Sequence, residues 1–484
     1  MEKVDEKKDS VAVGLNLDSE EFPLLQHTAK RPPYRQRKHP WLAALEVEGY
    51  NLGQMAINRY VKKAPFAYVT KASLKENIKL NHWFWDCDKL VTNSFEHPYM
   101  GNFYFNMART NNLSFWESVP YVVGGDLLWE VHGENELPSI NDLVTTAFGG
   151  VIIGEVMYRT SQLVIDNSQR GGRRVMRELC YLVLNPAGAL NRLIGGETWR
   201  IEHQADTVRR ERMGEIMLGA GTRHLHTVGV GKADFWTAYL QLMVNYGSPA
   251  RPDQGKPFQF FRSTLRGTIG NRQDIVGRFN VVGNLWRMPV GKYGTGRQTL
   301  GGFGIYQHFN YYASNPVRES ERPYQISEVA SVGVGVNTDH KWGRRNHVGE
   351  ELYASGVVMG CSQDDTGNHF PARTYNFGSG WSLRSHAYLE LGEWLRMSFD
   401  AWFMRLYTWY DYDGPRFGLG YYRQGNAGHS SQWVLTPTLE IRFAHGPCLF
   451  LQGDYFHRST HYRHFNDSRS RTMEWSLGLN WLFR

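Results

Sequence analysis

The stretch that decides the fold is the end of the chain, residues 471–484, which reads RTMEWSLGLNWLFR. Successive side chains of a strand point to opposite faces, so this stretch would have one apolar and one polar face. The apolar face would consist of Met473, Trp475, Leu477, Leu479, Trp481 and Phe483. The other face would consist mostly of polar or small residues, namely Thr472, Glu474, Ser476, Gly478, Asn480, Leu482 and Arg484. A strand that separates lipid from a wet lumen needs this alternation, so the stretch predicts the closing strand of a membrane β-barrel.

The same period of two extends back to about residue 213, as where Trp236, Leu240 and Val244 alternate with polar neighbours. The segments with this pattern are 213–223, 236–246, 257–267, 274–288, 297–312, 323–339, 345–362, 375–391, 394–411, 431–444, 447–462 and 471–484. Single-chain bacterial barrels have an even number of strands, which these segments provide. We therefore predict an α+β fold dominated by a transmembrane antiparallel β-barrel of about 12 strands, preceded by an N-terminal helical domain.

An antiparallel barrel or sandwich in solution would also alternate, but with its apolar face inward. Several of these segments are longer than the roughly five or six residues usual for strands of soluble proteins. The connections favour a membrane too, because the tight turn 392–393 and the long loop 412–430 fall at opposite ends. Since outer-membrane barrels have short periplasmic turns and long outer loops, we expect the C-terminus and the helical domain on the periplasmic side.

The composition is compatible with an aromatic-rich β-barrel. Aromatic residues make up 14% of the chain, it contains 50 glycines, and its mean hydropathy is −0.48. The net charge of +7 is modest, and its densest cluster, around Lys30–Lys38, is interpreted as a solvated linker, so no nucleic-acid partner is expected. The four cysteines form no CxxC pair, which argues against zinc-ribbon or thioredoxin-like chemistry. Residues 1–10 contain no apolar core of a signal peptide, so export would require that one has been removed.

The sequence divides into three parts. Residues 1–40 are polar and are expected to be flexible. Residues 41–205 are predicted to form a helical domain, which either plugs the lumen or packs below it in the periplasm, and residues 210–484 form the barrel. Periodic apolar positions and capping residues predict its individual helices at 41–61, 112–131, 141–165 and 170–184.

The helical part contains the residues that could support chemistry. Glu130, Asp142 and Glu155 lie among apolar residues, where a carboxylate is costly unless it is paired. With His97 they are the candidate catalytic residues, His97 as a general base. The candidate binding residues are Arg109, Arg159, Asn106, Asp86 and Asp88. A carboxylate and histidine metal site is an alternative. We favour a third interpretation, in which the arginines satisfy the carboxylates and the network only stabilises the fold, with no metal and no cofactor.

The motifs of this region are similar to those of a known family. The runs are His-Pro-Tyr-x-Gly at 97–101 followed by Tyr104, Asn-x-Ala-Arg at 106–109, Trp-Glu, and Pro-Ser-x-Asn-Asp at 138–142. They resemble an uncharacterised group of bacterial outer-membrane proteins described as a domain of unknown function, over about residues 75–200. The resemblance implies a location in the outer membrane and a helical region attached to a barrel. It implies no reaction.

The sequence thus predicts an outer-membrane β-barrel that is a plugged channel or transport protein, or a structural protein of the Gram-negative envelope. The alternative is a membrane-embedded enzyme that acts on lipid or envelope polymer through the His and carboxylate cluster. The expected partners are outer-membrane lipid and a periplasmic protein. The lumen would be lined by the charged residues Arg278, Arg384, Glu390, Arg396, Asp400, Glu440, Arg442 and Asp454.

Overall fold

Twelve antiparallel strands form a closed barrel, in which sequence neighbours pair with each other and the last strand pairs with the first. The computed structural model describes residues 37–79, 83–201, 214–229, 234–247, 255–269, 275–290, 298–316, 322–342, 345–368, 373–411, 423–443 and 447–483. The strands are β1 Gly214–Gly229, β2 Asp234–Tyr246, β3 Phe261–Ile269, β4 Val276–Val290, β5 Gln298–Ala313, β6 Gln325–Trp342, β7 Asn346–Gln363, β8 Tyr375–Leu391, β9 Leu395–Thr408, β10 Gly428–Arg442, β11 Cys448–Tyr462 and β12 Ser468–Phe483. The predicted fold class is confirmed, and each of the twelve predicted segments overlaps one strand.

Strand β12 closes the barrel as its sequence predicts. Its register against β1 runs from Gly229 opposite Ser470 to Ile216 opposite Phe483. One face is 38–51% exposed along Met473, Trp475, Leu477, Leu479 and Trp481. The opposite face is at most 2% exposed along Thr472, Glu474, Ser476 and Asn480. The apolar face therefore points outward and the polar face inward, which suits lipid outside the barrel and is the reverse of a soluble barrel.

Charged side chains fill the lumen in pairs that cross it. Nη2 of Arg278 in β4 lies 2.7 Å from Oδ2 of Asp454 in β11. Nη1 of Arg262 in β3 donates to Oε1 of Glu351 in β7 at 3.0 Å. The charged residues predicted to line the lumen occupy these inward-facing positions; Arg396, for example, lies opposite Glu390 on one side and Glu440 on the other.

Seven α-helices precede the barrel in the described residues. They are α1 Pro40–Ala56, α2 Lys71–Asn77, α3 His97–Thr110, α4 Phe115–Leu128, α5 Ile140–Val164, α6 Gly171–Leu184 and α7 Pro186–Ile194. The four helices predicted individually correspond to α1, α4, α5 and α6. Side-chain caps start two of them: Ser114 accepts from the backbone N–H of Glu117, and Ser139 accepts from that of Asp142. Single turns of π-helix extend α1 and α4 and precede α3, at Ile57–Val61, Trp129–Gly133 and Thr92–Glu96.

The described helices pack against the outer side of the barrel wall. Nε2 of Gln307, an outward-facing residue of β5, donates to the backbone oxygen of Phe148 in α5 at 2.9 Å. Nη2 of Arg159 in α5 donates to the backbone oxygen of Pro257 at 2.9 Å. One apolar core joins α3, α4 and α5 to outward-facing barrel residues, among them Val244, Tyr246, Phe261, Phe279, Val281, Phe309, Tyr311 and Phe377. These contacts place the helices beside strands β2–β8.

This position of the helical domain differs from both positions that the sequence led us to expect, which were inside the lumen and below the barrel in the periplasm. The physical reason is that barrel side chains already fill the lumen, whereas the outward apolar residues of β2–β8 offer a surface to pack on. Helix α5 matches that surface: among the described residues it has the length and apolar composition of a membrane span, and 67% of that stretch is buried in the structure. Of the expected flexible segment 1–40, residues 1–36 lie outside the described residues, as do 202–205 of the expected helical domain and 412–422 of the expected long loop.

Candidate functional site

A cluster of carboxylates surrounds the start of α5. The extended segment before α3 pairs with the α5 cap, since the N–H of Phe84 donates to the oxygen of Pro138 at 3.0 Å and the N–H of Ile140 donates to the oxygen of Phe84 at 2.8 Å. This pairing brings Asp86 to Asn141. The backbone N–H of Asp86 donates to Oδ1 of Asn141 at 2.9 Å, and Nδ2 of Asn141 donates to Oδ1 of Asp86 at 2.8 Å. Two chain segments 55 residues apart thus hold one carboxylate in place.

His97, the first residue of α3, lies within this cluster. Its Nε2 is 3.5 Å from Oδ1 of Asp142. One ring nitrogen of His97 and one carboxylate oxygen from each of Asp86 and Asp88 lie within 4.8 Å of one another. The side chain of His97 is 16% exposed, so the cluster reaches the surface at this point.

Glu130 closes the buried side of the cluster. It is 0% exposed, and its Oε2 accepts the backbone N–H of Ser139 at 2.7 Å. Asp126, one helical turn earlier, is also 0% exposed, as expected for two residues on one helix face. Buried carboxylates with few cationic partners favour the protonated form.

The pKa values of these groups are all displaced in favour of the neutral form. Burial, followed by the charges of Asp86, Glu136 and Glu96, raises the pKa of Asp88 to about 6. Burial is also the main reason that the pKa of Asp142 lies well above its usual range. Burial lowers the pKa of His97, against the opposing influence of Asp86 and Glu96. Both shifts disfavour the charged forms, so burial weakens an ion pair between His97 and Asp142.

The barrel contributes two residues that no local sequence signal could connect to the cluster. Nη1 of Arg373 donates to the backbone oxygen of Asp86 at 2.7 Å, from 287 residues away. The hydroxyl of Tyr375, the first residue of β8, donates to the backbone oxygen of Asp88 at 3.1 Å. Tyr375 also accepts from Nδ2 of Asn93 at 2.8 Å. These bonds attach the cluster to the end of the barrel where β8 begins, opposite the end where the chain terminates.

The remaining predicted site residues form a second, closed group. Nε of Arg109 donates to Oε2 of Glu155 at 2.8 Å, and Nε of Arg159 donates to Oε1 of Glu155 at 2.7 Å. Asn106 belongs to the contact between α3 and α5, because its Nδ2 donates to the backbone oxygen of Gly154 at 3.1 Å. Glu155 lies thirteen residues after Asp142 on α5, which corresponds to about 20 Å of helix.

The structure thus separates the predicted set into two groups. His97, Glu130, Asp142, Asp86 and Asp88 come together, whereas Glu155, Arg109, Arg159 and Asn106 stabilise the packing of two helices. The sequence interpretation missed Asn93, Asn141, Arg373 and Tyr375 as parts of the site. The sequence could have indicated Asn141 as a site residue, because it is adjacent to Asp142 in the Pro-Ser-x-Asn-Asp motif.

The lumen is the second place where function could reside. An apolar layer crosses it towards the end of the barrel where β8 begins, formed by Leu225, Tyr312, Tyr324, Ile326, Val357, Trp402, Met404, Leu406, Val434 and Phe456. The rings of Tyr324 and Phe456 stack with centroids 3.9 Å apart. Below this layer lies a cavity of about 110 Å³, lined by polar residues that include Arg384, His386 and Asp400. The cavity is lined by barrel residues, and Tyr312, Trp402 and Val434 of the apolar layer form part of its lining.

These features define a class of protein: a membrane-spanning antiparallel β-barrel whose outer wall holds a helical domain. Residues 82–187 match the model of a family described as a domain of unknown function, DUF3943. The resemblance found in the sequence is therefore confirmed over this segment. The segment contains the carboxylate cluster on the helical side, from Asp86 to Asp142, and it ends before the barrel begins. The comparison with curated proteins finds no match.

Solved structures similar to this chain are barrels. The NanC porin is 9% identical with a TM-score of 0.26, and the match covers 53% of this chain and 98% of that one. The KdgM porin, solved in complex with disordered oligogalacturonate, is 9% identical with a TM-score of 0.23, over 55% and 99% of the two chains. OmpT of Vibrio cholerae is 7% identical with a TM-score of 0.22, over 56% and 100%. TM-scores this low say nothing about the function of this chain.

Proposed function

We propose that this chain is a bacterial outer-membrane barrel that is closed to solutes at rest and acts as a structural protein of the envelope, supporting the helical domain on its wall. The observation behind this proposal is the apolar layer across the lumen. Water and ions pass an apolar constriction poorly, because aliphatic and aromatic side chains replace little of their hydration. Of the functions considered from the sequence, a barrel that does not conduct at rest agrees best with this layer.

The proposed location rests on the surface of the barrel. Outward-facing apolar side chains recur around the wall, including Leu218, Leu240, Val334, Leu352, Leu383, Phe399, Trp433 and Leu451. Closed barrels satisfy all their backbone hydrogen bonds internally, which lets strands cross a bilayer. Barrels of this kind are typical of the outer membrane of Gram-negative bacteria, so outer-membrane lipid is the partner that we propose.

Conductance of the purified protein in planar bilayers tests the closed state. We expect the wild-type protein to be silent, and the double variant Trp402→Ala/Phe456→Ala to conduct, because it removes two rings from the layer. The matched control is Phe399→Ala/Leu451→Ala, which removes apolar side chains from the outer face of the same strands, β9 and β11, and should stay silent. Steady conductance of the wild-type protein would overturn the proposal. Silence of the Trp402/Phe456 variant would show that the apolar layer is not what closes the lumen.

A second candidate is the enzyme acting on lipid or envelope polymer that the sequence suggested. It is favoured by the neutral His97 at the surface of the carboxylate cluster, where a general base would need to be. The test is the lipid profile of membranes that contain His97→Ala, with heat-modifiable migration as the check of barrel folding. His132→Ala is the matched control, since His132 is a helical-domain histidine with a 25% exposed side chain. A changed profile in His97→Ala alone would support the enzyme, and an unchanged one would exclude His97 as its base.

A further inference from the structure

We propose that Asp86, Asp88 and His97 form a binding site for a divalent first-row transition metal, Zn²⁺ or Mn²⁺. This inference goes beyond the structural function proposed above, and neither depends on the other. The site lies between the start of α3 and the extended segment before it. Its three potential ligand atoms lie within 4.8 Å of one another.

The spacing is close to what a metal requires. Zn²⁺ binds histidine nitrogens and carboxylate oxygens at about 2.0–2.2 Å in a tetrahedral arrangement, so two ligand atoms on one ion are about 3.4 Å apart. The three ligand atoms lie within 4.8 Å of one another, so they would have to approach by up to about 1.4 Å. Asp88 and His97 are the flexible partners, since Asp88 is exposed and His97 has a side chain that is 16% exposed.

Two unpartnered atoms give independent support for a ligand. Nδ1 of His97 is buried and has no hydrogen-bond partner, while Nε2 of the same ring faces Asp142. Oδ1 of Asn93 also has no partner, although Asn93 is 0% exposed and its Nδ2 donates to Oδ1 of Asp86 at 2.6 Å. Buried polar atoms are normally satisfied, so two such atoms on residues of this cluster favour a polar ligand here.

The surroundings have the form of an outer shell around a metal. Metal-binding histidines usually present their second ring nitrogen to a carboxylate, which orients the ring, and Asp142 occupies that position for His97. Metal-binding carboxylates are themselves hydrogen-bonded, as Asp86 is by Asn93 and Asn141.

The donor set decides the class of metal. Ca²⁺ and Mg²⁺ prefer oxygen ligands throughout. One imidazole with two carboxylates suits Zn²⁺ or Mn²⁺, with water in the remaining positions. The exposed side chain of Asp88 leaves a path from solvent for the ion and its water.

A bound metal would also reinforce the junction with the barrel. The backbone oxygens of Asp86 and Asp88 accept hydrogen bonds from Arg373 and Tyr375, at the beginning of β8. A metal that joins both aspartates to α3 would therefore connect the barrel end, the extended segment and the helix. We expect metal binding to slow hydrogen exchange in residues 84–97.

The experiment is isothermal titration of the full-length protein, stripped with EDTA and kept in detergent micelles, with ZnCl₂, MnCl₂, CaCl₂ or MgCl₂. All variants carry His461→Ala, because His461 and His429 form an exposed pair with ring centroids 5.0 Å apart that could bind zinc by itself. We expect one Zn²⁺ or Mn²⁺ per chain and weaker binding of Ca²⁺ and Mg²⁺. Asp88→Asn and His97→Ala should each weaken binding about 100-fold or more, and Asp142→Asn by about 10–100-fold.

Asp88→Asn is the variant least expected to disturb folding, because Asp88 is exposed. A second readout is the visible spectrum of the Co²⁺-loaded protein, which reports the ligands directly and should change in His97→Ala. Absence of Zn²⁺ and Mn²⁺ binding by the His461→Ala protein would overturn the proposal. Binding that is unchanged in both Asp88→Asn and His97→Ala would overturn it equally, since the metal would then lie elsewhere.

Discussion

Gly150, where α5 crosses α3, provides the sharpest test of how the helical domain is packed. A Cβ atom at Gly150 would lie 2.6 Å from Cα of Gly101 and 2.7 Å from its carbonyl carbon. Carbon atoms pack at about 3.5–4.0 Å, so Gly150→Ala would force the two helices about 1 Å apart. Overpacking costs about 1–3 kcal/mol, and the obstacle here is backbone that cannot rotate away. Alanine regains about 1 kcal/mol of helix propensity, so with the upper end of this cost we expect a net loss of about 2 kcal/mol.

Hydrogen exchange followed by mass spectrometry measures this loss locally. A loss of about 2 kcal/mol corresponds to roughly 30-fold faster exchange in α3 and α5, with the barrel strands as internal reference. Gly53→Ala is the matched control, since Gly53 lies in α1 and a Cβ there would meet nothing within 4 Å. That variant should be stabilised by up to about 1 kcal/mol. Equal or slower exchange in Gly150→Ala than in Gly53→Ala would refute the close crossing of the two helices.

Three further predictions address the helical domain, the lumen and the lipid face. Burial raises the pKa of Asp126 to about 8, above its value in the unfolded chain. The protonated carboxyl group therefore stabilises the folded state at low pH, and this contribution is lost as pH rises from about 4 to about 8. Asp126→Asn should therefore flatten the pH dependence of the free energy of unfolding of the helical domain, measured in urea over this range. The slope should change by up to about 1.4 kcal/mol per pH unit. Arg278→Met leaves Asp454 buried without its ion-pair partner and should lower the free energy of unfolding of the barrel in urea by about 3–5 kcal/mol. Arg278→Met/Asp454→Leu should restore most of this loss. Leu477→Arg places a charge on the lipid face and should destabilise the barrel in lipid vesicles by about 2–4 kcal/mol. The effect should be much smaller in the absence of lipid. An equal effect with and without lipid would contradict the lipid contact.

The candidate site was predictable only in part. Asp86, Asp88, His97, Glu130 and Asp142 stand out because charged residues among apolar neighbours must find partners, and the structure brings these five together. Their actual partners were harder to foresee. Amide side chains from the same domain bond the carboxylate of Asp86, and side chains from the barrel bond the backbone oxygens of Asp86 and Asp88. Such contacts depend on how segments far apart in the chain approach each other.

Glu155 is the carboxylate for which the interpretation that we favoured from the sequence, pairing with arginines, agrees with the structure. It looked equivalent to Glu130 and Asp142, because all three are carboxylates in apolar surroundings. On α5 it lies several turns beyond Asp142 and meets two arginines, Arg109 and Arg159, which neutralise it. The pairing with Arg159 follows from the i,i+4 spacing, but the pairing with Arg109 requires the crossing of α3 and α5.

The sequence by itself determined the barrel: its twelve strands, its apolar outer face and the charged residues of its lumen. This was possible because alternation is a local property, since each strand residue points either to lipid or to the lumen whatever its distant neighbours are. The position of the helical domain was decided only by the tertiary structure. An apolar helix can pack against any apolar surface of suitable shape, and the sequence does not tell which surface remains open once the lumen is filled. The carboxylate cluster also depends on tertiary structure, because the segment around Asp86 must pair with the start of α5, and docking on the outer wall then attaches both to the start of β8.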